Sequence, residues 1–161
     1  MRYLTILTLI FTQIIFCQNK KEEEAIRFNE SLKKEKIKCS TEFHVIPTRY
    51  LLTDLNNDTI FEVIEITNKI EDEIPDFLPV ELSSAFDYHK IYFYDNEKDK
   101  FILSDFSDFS IYRKEREYFY RAWYNLISYP KDLNQNLKKL INENKKYFLN
   151  EINKLLIRVK N

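Results

Sequence analysis

No glycine occurs anywhere in the 161 residues. Average usage near 7% would place roughly 11 in a chain of this length. Glycine supplies positive φ at turns and lets a backbone pass close to a phosphate or an oxyanion. Walker loops, dinucleotide-binding fingerprints and glycine-flanked nucleophile elbows all depend on it. Their standard forms are therefore excluded. Turns fall to Asn and Asp, which tolerate the left-handed region best after glycine.

The amino terminus bears on compartment. Arg2 precedes a run from Leu4 to Phe16 interrupted only by Thr and Gln, and Cys17 closes it. Spanning a bilayer takes roughly 20 apolar residues, more than this run offers. A charged start, a short apolar run and an abrupt polar boundary read as an export signal over residues 1–17. The next residues are Gln18-Asn19-Lys20-Lys21-Glu22-Glu23-Glu24. This tract resembles the export signal of surface lipoproteins in some Gram-negative bacteria, where a lysine-then-acid run follows an acylated cysteine. The resemblance covers residues 4–24 and implies Cys17 as the lipidated residue. Phe16 stands where such signals carry a small residue. The other fate is cleavage by a general signal peptidase after Cys17, with Ile15 at a position that favours small side chains.

The remainder is one domain's length and long enough to bury a core. With 44% hydrophobic and 32% charged residues, the composition is that of a globular domain. A net charge of −1 argues against a nucleic-acid binder. Of the 2 cysteines, Cys17 is lipidated or removed, which leaves Cys39 without an intrachain partner. A buried, inert thiol is the simpler reading of Cys39.

Residues 18–40 are rich in Lys and Glu, with Ile26, Phe28, Leu32 and Ile37 as apolar positions. They read as a charged tether or a solvated helix. Residues 41–161 form the single globular domain. Within it, residues 43–104 read as about four antiparallel strands. Residues 43–46 stop at Pro47. Arg49–Thr53 and Ile60–Thr67 flank an Asn/Asp turn, and Lys90–Tyr94 and Lys100–Ser104 flank a second. Residues 71–80 read as an acidic loop holding Pro75 and Pro79. Residues 111–128 carry a helical face at Tyr118, Phe119, Ala122, Trp123, Leu126 and Ile127, although Tyr118–Tyr124 is aromatic enough for a strand. Helix is the preferred reading.

Leu133, Leu137, Leu140, Ile141, Phe148, Ile152, Leu155, Leu156 and Val159 keep a helical period over residues 132–159. Asp132 and Gln135 have the spacing of a capping box. The expected fold is α+β: a small antiparallel sheet packed by this long C-terminal helix.

Charge is uneven. Residues 54–88 hold ten acids against Lys69 alone, and residues 131–161 hold eight bases against three acids. The two segments neutralise each other within the fold, or the acidic face serves a basic partner or cations.

The run Asp54-Leu-Asn56-Asn-Asp58-Thr-Ile-Phe-Glu62-Val-Ile-Glu65 places oxygen ligands at relative positions 1, 3, 5, 9 and 12. It is similar to the D-x-N-x-D calcium loops of dockerins and integrin-type repeats. That resemblance implies calcium held by Asp54, Asn56, Asp58, Glu62 and Glu65. Thr59 occupies the position where such loops carry glycine. The alternative is a hairpin turn whose Asn and Asp side chains bond locally, with no metal.

Other constellations carry less. Cys39, His44, His89 and Asp87 make a zinc set only on paper. His44 or His89 near Ser83, Ser84 and Asp87 could supply a base, but no motif names a nucleophile. Ser104-Asp105-Phe106-Ser107-Asp108-Phe109-Ser110 reads as a turn and a helix cap. Tyr118, Tyr120, Trp123 and Tyr124 with Arg121 have the composition of an interface. Tyr120, Tyr124 and Arg121 are the candidate partner-binding residues on its outward side.

The expectation is a small exported binding protein of the cell envelope. It is non-catalytic, without a cofactor, and joined to the membrane through Cys17 if that residue is acylated. Its location would be the outer membrane, the cell surface or the periplasm, or it would be secreted. Its partner would be a protein, as for an immunity or inhibitor lipoprotein. The alternatives are a calcium-binding envelope protein using the 54–65 loop and a hydrolase without a recognisable motif.

Overall fold

The computed structural model describes residues 20–36, 48–68, 70, 78–131 and 133–160. The export signal with Cys17, Cys39, His44, the strand expected at 43–46, most of the acidic loop and Asp132 lie outside the described residues. In chain order the elements are helix α1 (20–36), strand β1 (Thr48–Thr53), strand β2 (Glu62–Thr67) and a short helical turn α2 (Val80–Ser83) continued by a 3₁₀ turn to Phe86. Strands β3 (Tyr88–Asp95) and β4 (Lys100–Leu103), a 3₁₀ turn (Ser107–Phe109) and helices α3 (Ser110–Ser128) and α4 (Gln135–Lys160) follow.

The four strands form one antiparallel sheet in the order β1-β2-β3-β4. Leu51 pairs with Ile64, and Ile64 with Ile91. Phe93 pairs with Ile102. Because side chains alternate along a strand, this register sorts them onto two faces. One face carries Glu62, Ile64, Ile66, His89, Ile91 and Phe93. The other carries Val63, Glu65, Tyr92, Tyr94 and Phe101. Both faces are covered, and all six residues of β2 are buried accordingly.

Phe106, Phe109 and Tyr112 cover the first face, where they pack on Ile64, Ile66 and Ile91. The Ser/Asp repeat forms the expected turn, but no side chain of it caps α3, whose N-cap is Phe109. Ser104 Oγ accepts the Phe106 N–H at 3.1 Å and donates to Asp108 at 3.0 Å, and Asp105 accepts the Ser107 N–H at 2.9 Å.

Helix α1 covers the second face. Phe28 stacks on Phe101 with ring centroids 4.7 Å apart and meets Tyr92 edge-on at 5.3 Å. Ala25 is fully buried, and Asn29 nearly so. The helical reading of this charged segment holds, but the helix is docked on the sheet rather than solvated. Its sequence hides this because only Phe28 and Leu32 mark the inward stripe, and Ile26 faces out, 41% exposed.

The region read as either helix or strand is helix α3. It pairs with α4 around Tyr120, Ile127, Ile141, Phe148, Ile152, Leu155 and Val159, joined by Ile70, Leu82, Ala85 and Phe86. The long C-terminal helix is therefore present, starting at Gln135 rather than 132. Its stripe meets α3 and the 82–88 segment, touching the sheet layer at Tyr88, where Arg158 lies 4.6 Å over the ring. Asn134 caps it, accepting the Leu137 N–H at 2.8 Å. The box expected from Asp132 lies outside the described residues.

Among the described residues, four take positive φ: Asn57, Thr59, Asp99 and Phe106. Asn57 and Asp99 are the turn residues that a glycine-free chain must use. Thr59 and Phe106 were not foreseeable from residue type. Phe106 at φ 73° is held by its bond to Ser104 and by burial of its ring.

Candidate functional site

The loop between β1 and β2 is built by its own side chains. Asp54 accepts the backbone N–H of Asp58 on Oδ1 at 3.1 Å and that of Thr59 on Oδ2 at 2.9 Å. Asn56 Oδ1 accepts the Asp58 N–H at 3.1 Å, and Asp58 Oδ1 accepts the Ile60 N–H at 2.8 Å. Thr59 takes φ 69°, the conformation that glycine supplies in calcium loops. Thr59 thus has, at position 6, the sign of φ for which such loops carry glycine. The side-chain bonds hold a β-branched residue where sterics alone oppose it by roughly 1–2 kcal/mol.

Glu62 lies beneath this loop. It is only 2% exposed, and its Oε2 accepts the Leu55 N–H at 2.7 Å. Burial, and then the nearby carboxylates of Asp58 and Asp54, push its carboxyl up to about 7. No ion pair to Asp54, Asp58 or Glu62 is formed among the described residues. Three carboxylates and an amide oxygen thus share one small region without a cationic side chain.

Glu65 belongs elsewhere. Three residues along a strand from Glu62, it projects from the opposite face. There it accepts from Lys90 Nζ at 3.2 Å and Tyr92 Oη at 3.0 Å. The twelve-position ligand pattern therefore loses its last member, and the shorter set at positions 1, 3, 5 and 9 remains. Among the described residues, no three carboxylate, imidazole or thiolate groups already converge tightly enough to hold a metal. The donor chemistry fits a hard cation nonetheless. The set is all oxygen, and each carboxylate has about four lone-pair positions, more than the loop's internal bonds occupy.

A second polar cluster lies between the first sheet face and α3. Arg49 donates to Asp87 at 2.6 Å, and Asn68 donates to the other Asp87 oxygen at 3.2 Å. Burial still raises the Asp87 carboxyl above its ordinary value, with Arg49 opposing the shift. His89 Nδ1 lies 2.5 Å from Tyr112 Oη, and burial holds the imidazole neutral, down to about 3. His89 Nε2 and two nitrogens of Arg116 are buried without a hydrogen-bond partner among the described residues. The Arg116 guanidinium instead lies 4.5 Å over Phe119 and 4.6 Å over Tyr120. Asp87 and His89 share a face as the strand period requires, but they bond to different partners. Ser83 Oγ accepts from Asn68 at 3.0 Å, while His89 bonds Tyr112. Among the described residues, Ser83, Asp87 and His89 thus take different hydrogen-bond partners.

The aromatic surface divides. Tyr120 is 1% exposed and donates its hydroxyl to the Asp87 carbonyl at 2.5 Å, so it belongs to the core. The α3 stripe runs through Tyr112, Arg116, Tyr120, Trp123 and Ile127, leaving Tyr118 77% exposed. Arg121 is exposed and pairs with Glu117 at 2.7 Å. Tyr124 and Arg121 line a shallow groove with Asn153, Leu156, Ile157 and Lys160. Among the described residues, no ion pair links the acidic 54–88 segment to the basic 131–160 segment. Comparison with protein-family models, with curated proteins and with solved structures returns no match to this chain.

Proposed function

We propose that this chain is a small exported binding protein of the cell envelope, held to the membrane through Cys17, with a calcium site in the 54–62 loop. Asp54, Asn56, Asp58 and Glu62 are its side-chain ligands, and the Ile60 carbonyl occupies position 7 of the pattern. The observation that carries the cation reading is Thr59 at φ 69° with its N–H bonded to Asp54. A positive φ at position 6, reached here without glycine, supports this reading. The buried Glu62 supports the same reading, because a divalent cation offsets the repulsion among three carboxylates. No covalent step is assigned to any residue. The groove at Arg121 and Tyr124 is the surface for a protein partner.

Two experiments test this. Calorimetric titration of calcium should give one site per chain, lost in Asp54→Ala. Absence of binding heat at millimolar calcium would refute the site. Metabolic labelling with a fatty acid should mark the wild type and not Cys17→Ser, and an unlabelled wild type would refute the anchor.

A further inference from the structure

The antiparallel register places two connections at the same end of the sheet. Thr53 pairs with Glu62 at the base of the 54–61 loop, and Asp95 pairs with Lys100 at the base of the 96–99 turn. Val63 pairs with Tyr92, which brings those two ends level. The start of α1 is fixed there too. Lys21 Nζ donates to Asn96 Oδ1 at 2.8 Å and lies 5.9 Å from the centre of the Tyr94 ring. Cys17 precedes Lys21 by four residues, a reach of at most about 14 Å. The other end of the molecule is far away. β3 is about 23 Å long. α3 has reached Asp87, beyond the start of β3, by Tyr120, and continues to Ser128.

We propose that the anchored protein stands on this end, with the 54–62 loop and the 96–99 turn against the phospholipid headgroups. This rests on the Cys17 anchor and the loop cation site proposed above. A domain on a long leash would need α1 free of the sheet, whereas the stack of Phe28 on Phe101 keeps it docked. The surface at this end carries both signs of charge, with Lys20 paired to Glu24 and Lys98 to Asp95. Lys20, Lys98 and Lys100 are exposed at this end and can donate to lipid phosphates. Asp54, Asp58, Asp95, Glu97 and Asp99 would be repelled by an anionic bilayer unless a divalent cation stood between. Calcium bound in the proposed loop site would supply that cation and link the loop's carboxylates to lipid phosphate oxygens.

The test uses the full chain purified with its acyl group and reconstituted into phosphatidylethanolamine/phosphatidylglycerol vesicles carrying a headgroup quencher. In a Cys39→Ser background, one fluorophore is placed at Asn96→Cys or at Lys131→Cys, the latter in the turn between α3 and α4. Quenching at position 96 should exceed that at position 131 at least fivefold. Equal quenching, or stronger quenching at 131, overturns the orientation. Mass spectrometry of the same preparation keeps the premise separate: no acyl mass on Cys17 removes the anchor, and the orientation with it. Calcium should deepen quenching at 96 by about twofold over chelator. Asp54→Ala should abolish that increment without changing the order of the two sites. An increment that survives Asp54→Ala overturns the loop's part in the contact.

Discussion

Asp54 accepts the N–H of Thr59 at 2.9 Å while Thr59 stands at φ 69°. The pair shows how a chain without glycine closes a turn that ordinarily requires one. A carboxylate at the first position of the loop, accepting two backbone N–H groups, offsets the steric penalty on a β-branched residue. The same carboxylate is first in the proposed ligand set, so the fold of the loop and its chemistry share one side chain.

Thr59→Gly should stabilise the protein. The substitution removes a left-handed penalty of about 1–2 kcal/mol and adds back about 0.5–1 kcal/mol of backbone entropy loss. A net gain of about 0.5–1 kcal/mol in urea denaturation is expected, with tighter calcium binding. A loss of stability would mean that the Thr59 hydroxyl, which donates to the Asp58 carbonyl, matters more than its φ.

Glu62 makes stability depend on pH in an unusual direction. Its carboxyl is raised to about 7, so between about 4.5 and 7 the folded state holds a proton that the unfolded state has lost. Protonation thus favours folding, and this contribution falls as pH rises through that window. His89 opposes it. Held neutral down to about 3, it costs stability as pH drops below 6.5. Glu62→Gln should remove the first dependence and leave the second. Chemical denaturation of both proteins at pH 5, 6 and 7 without calcium separates them, and identical profiles would contradict the assignment.

The α3–α4 core should respond unevenly to truncation. Phe148 is fully buried between the helices and Phe86, so Phe148→Ala should cost about 3–5 kcal/mol. Leu140 is only half-buried at the rim, so Leu140→Ala should cost about 1 kcal/mol, well below a full core deletion. Equal losses in thermal denaturation would mean that the stripe is rotated from its position here.

Tyr120→Phe removes the hydroxyl that joins α3 to the start of β3. The Asp87 carbonyl then loses a buried partner, and about 1–3 kcal/mol should be lost in urea denaturation. An unchanged midpoint would mean that packing of the ring alone holds the two elements together.

Much of this fold was legible because period and punctuation agreed. Alternation and two Asn/Asp turns marked the strands, and a helical period marked α4. The inward face of α3 was misread because the sequence offers aromatic residues on several sides, and burial of Tyr120 is decided by a carbonyl more than 30 residues away. Docking of α1 was hidden because ring contacts from Phe28, rather than a full apolar stripe, fix it. The ligand pattern of the loop was readable at positions 1, 3, 5 and 9. Rejection of Glu65 was already implicit in the strand read at Ile60–Thr67, since residues three apart along a strand point to opposite faces. The permissive state of Thr59 depends on bonds that spacing alone does not reveal.

Thermal denaturation with and without calcium tests the central claim most directly. A cation at 100 times its dissociation constant adds about 2.7 kcal/mol to the folded state. In a domain of this size that is a rise of roughly 5 °C or more in melting temperature. The account predicts such a rise in the wild type at neutral pH, absent in Asp54→Ala and in Asp58→Ala and retained in a Glu65→Gln variant. A wild-type melting temperature that does not move at millimolar calcium would contradict it.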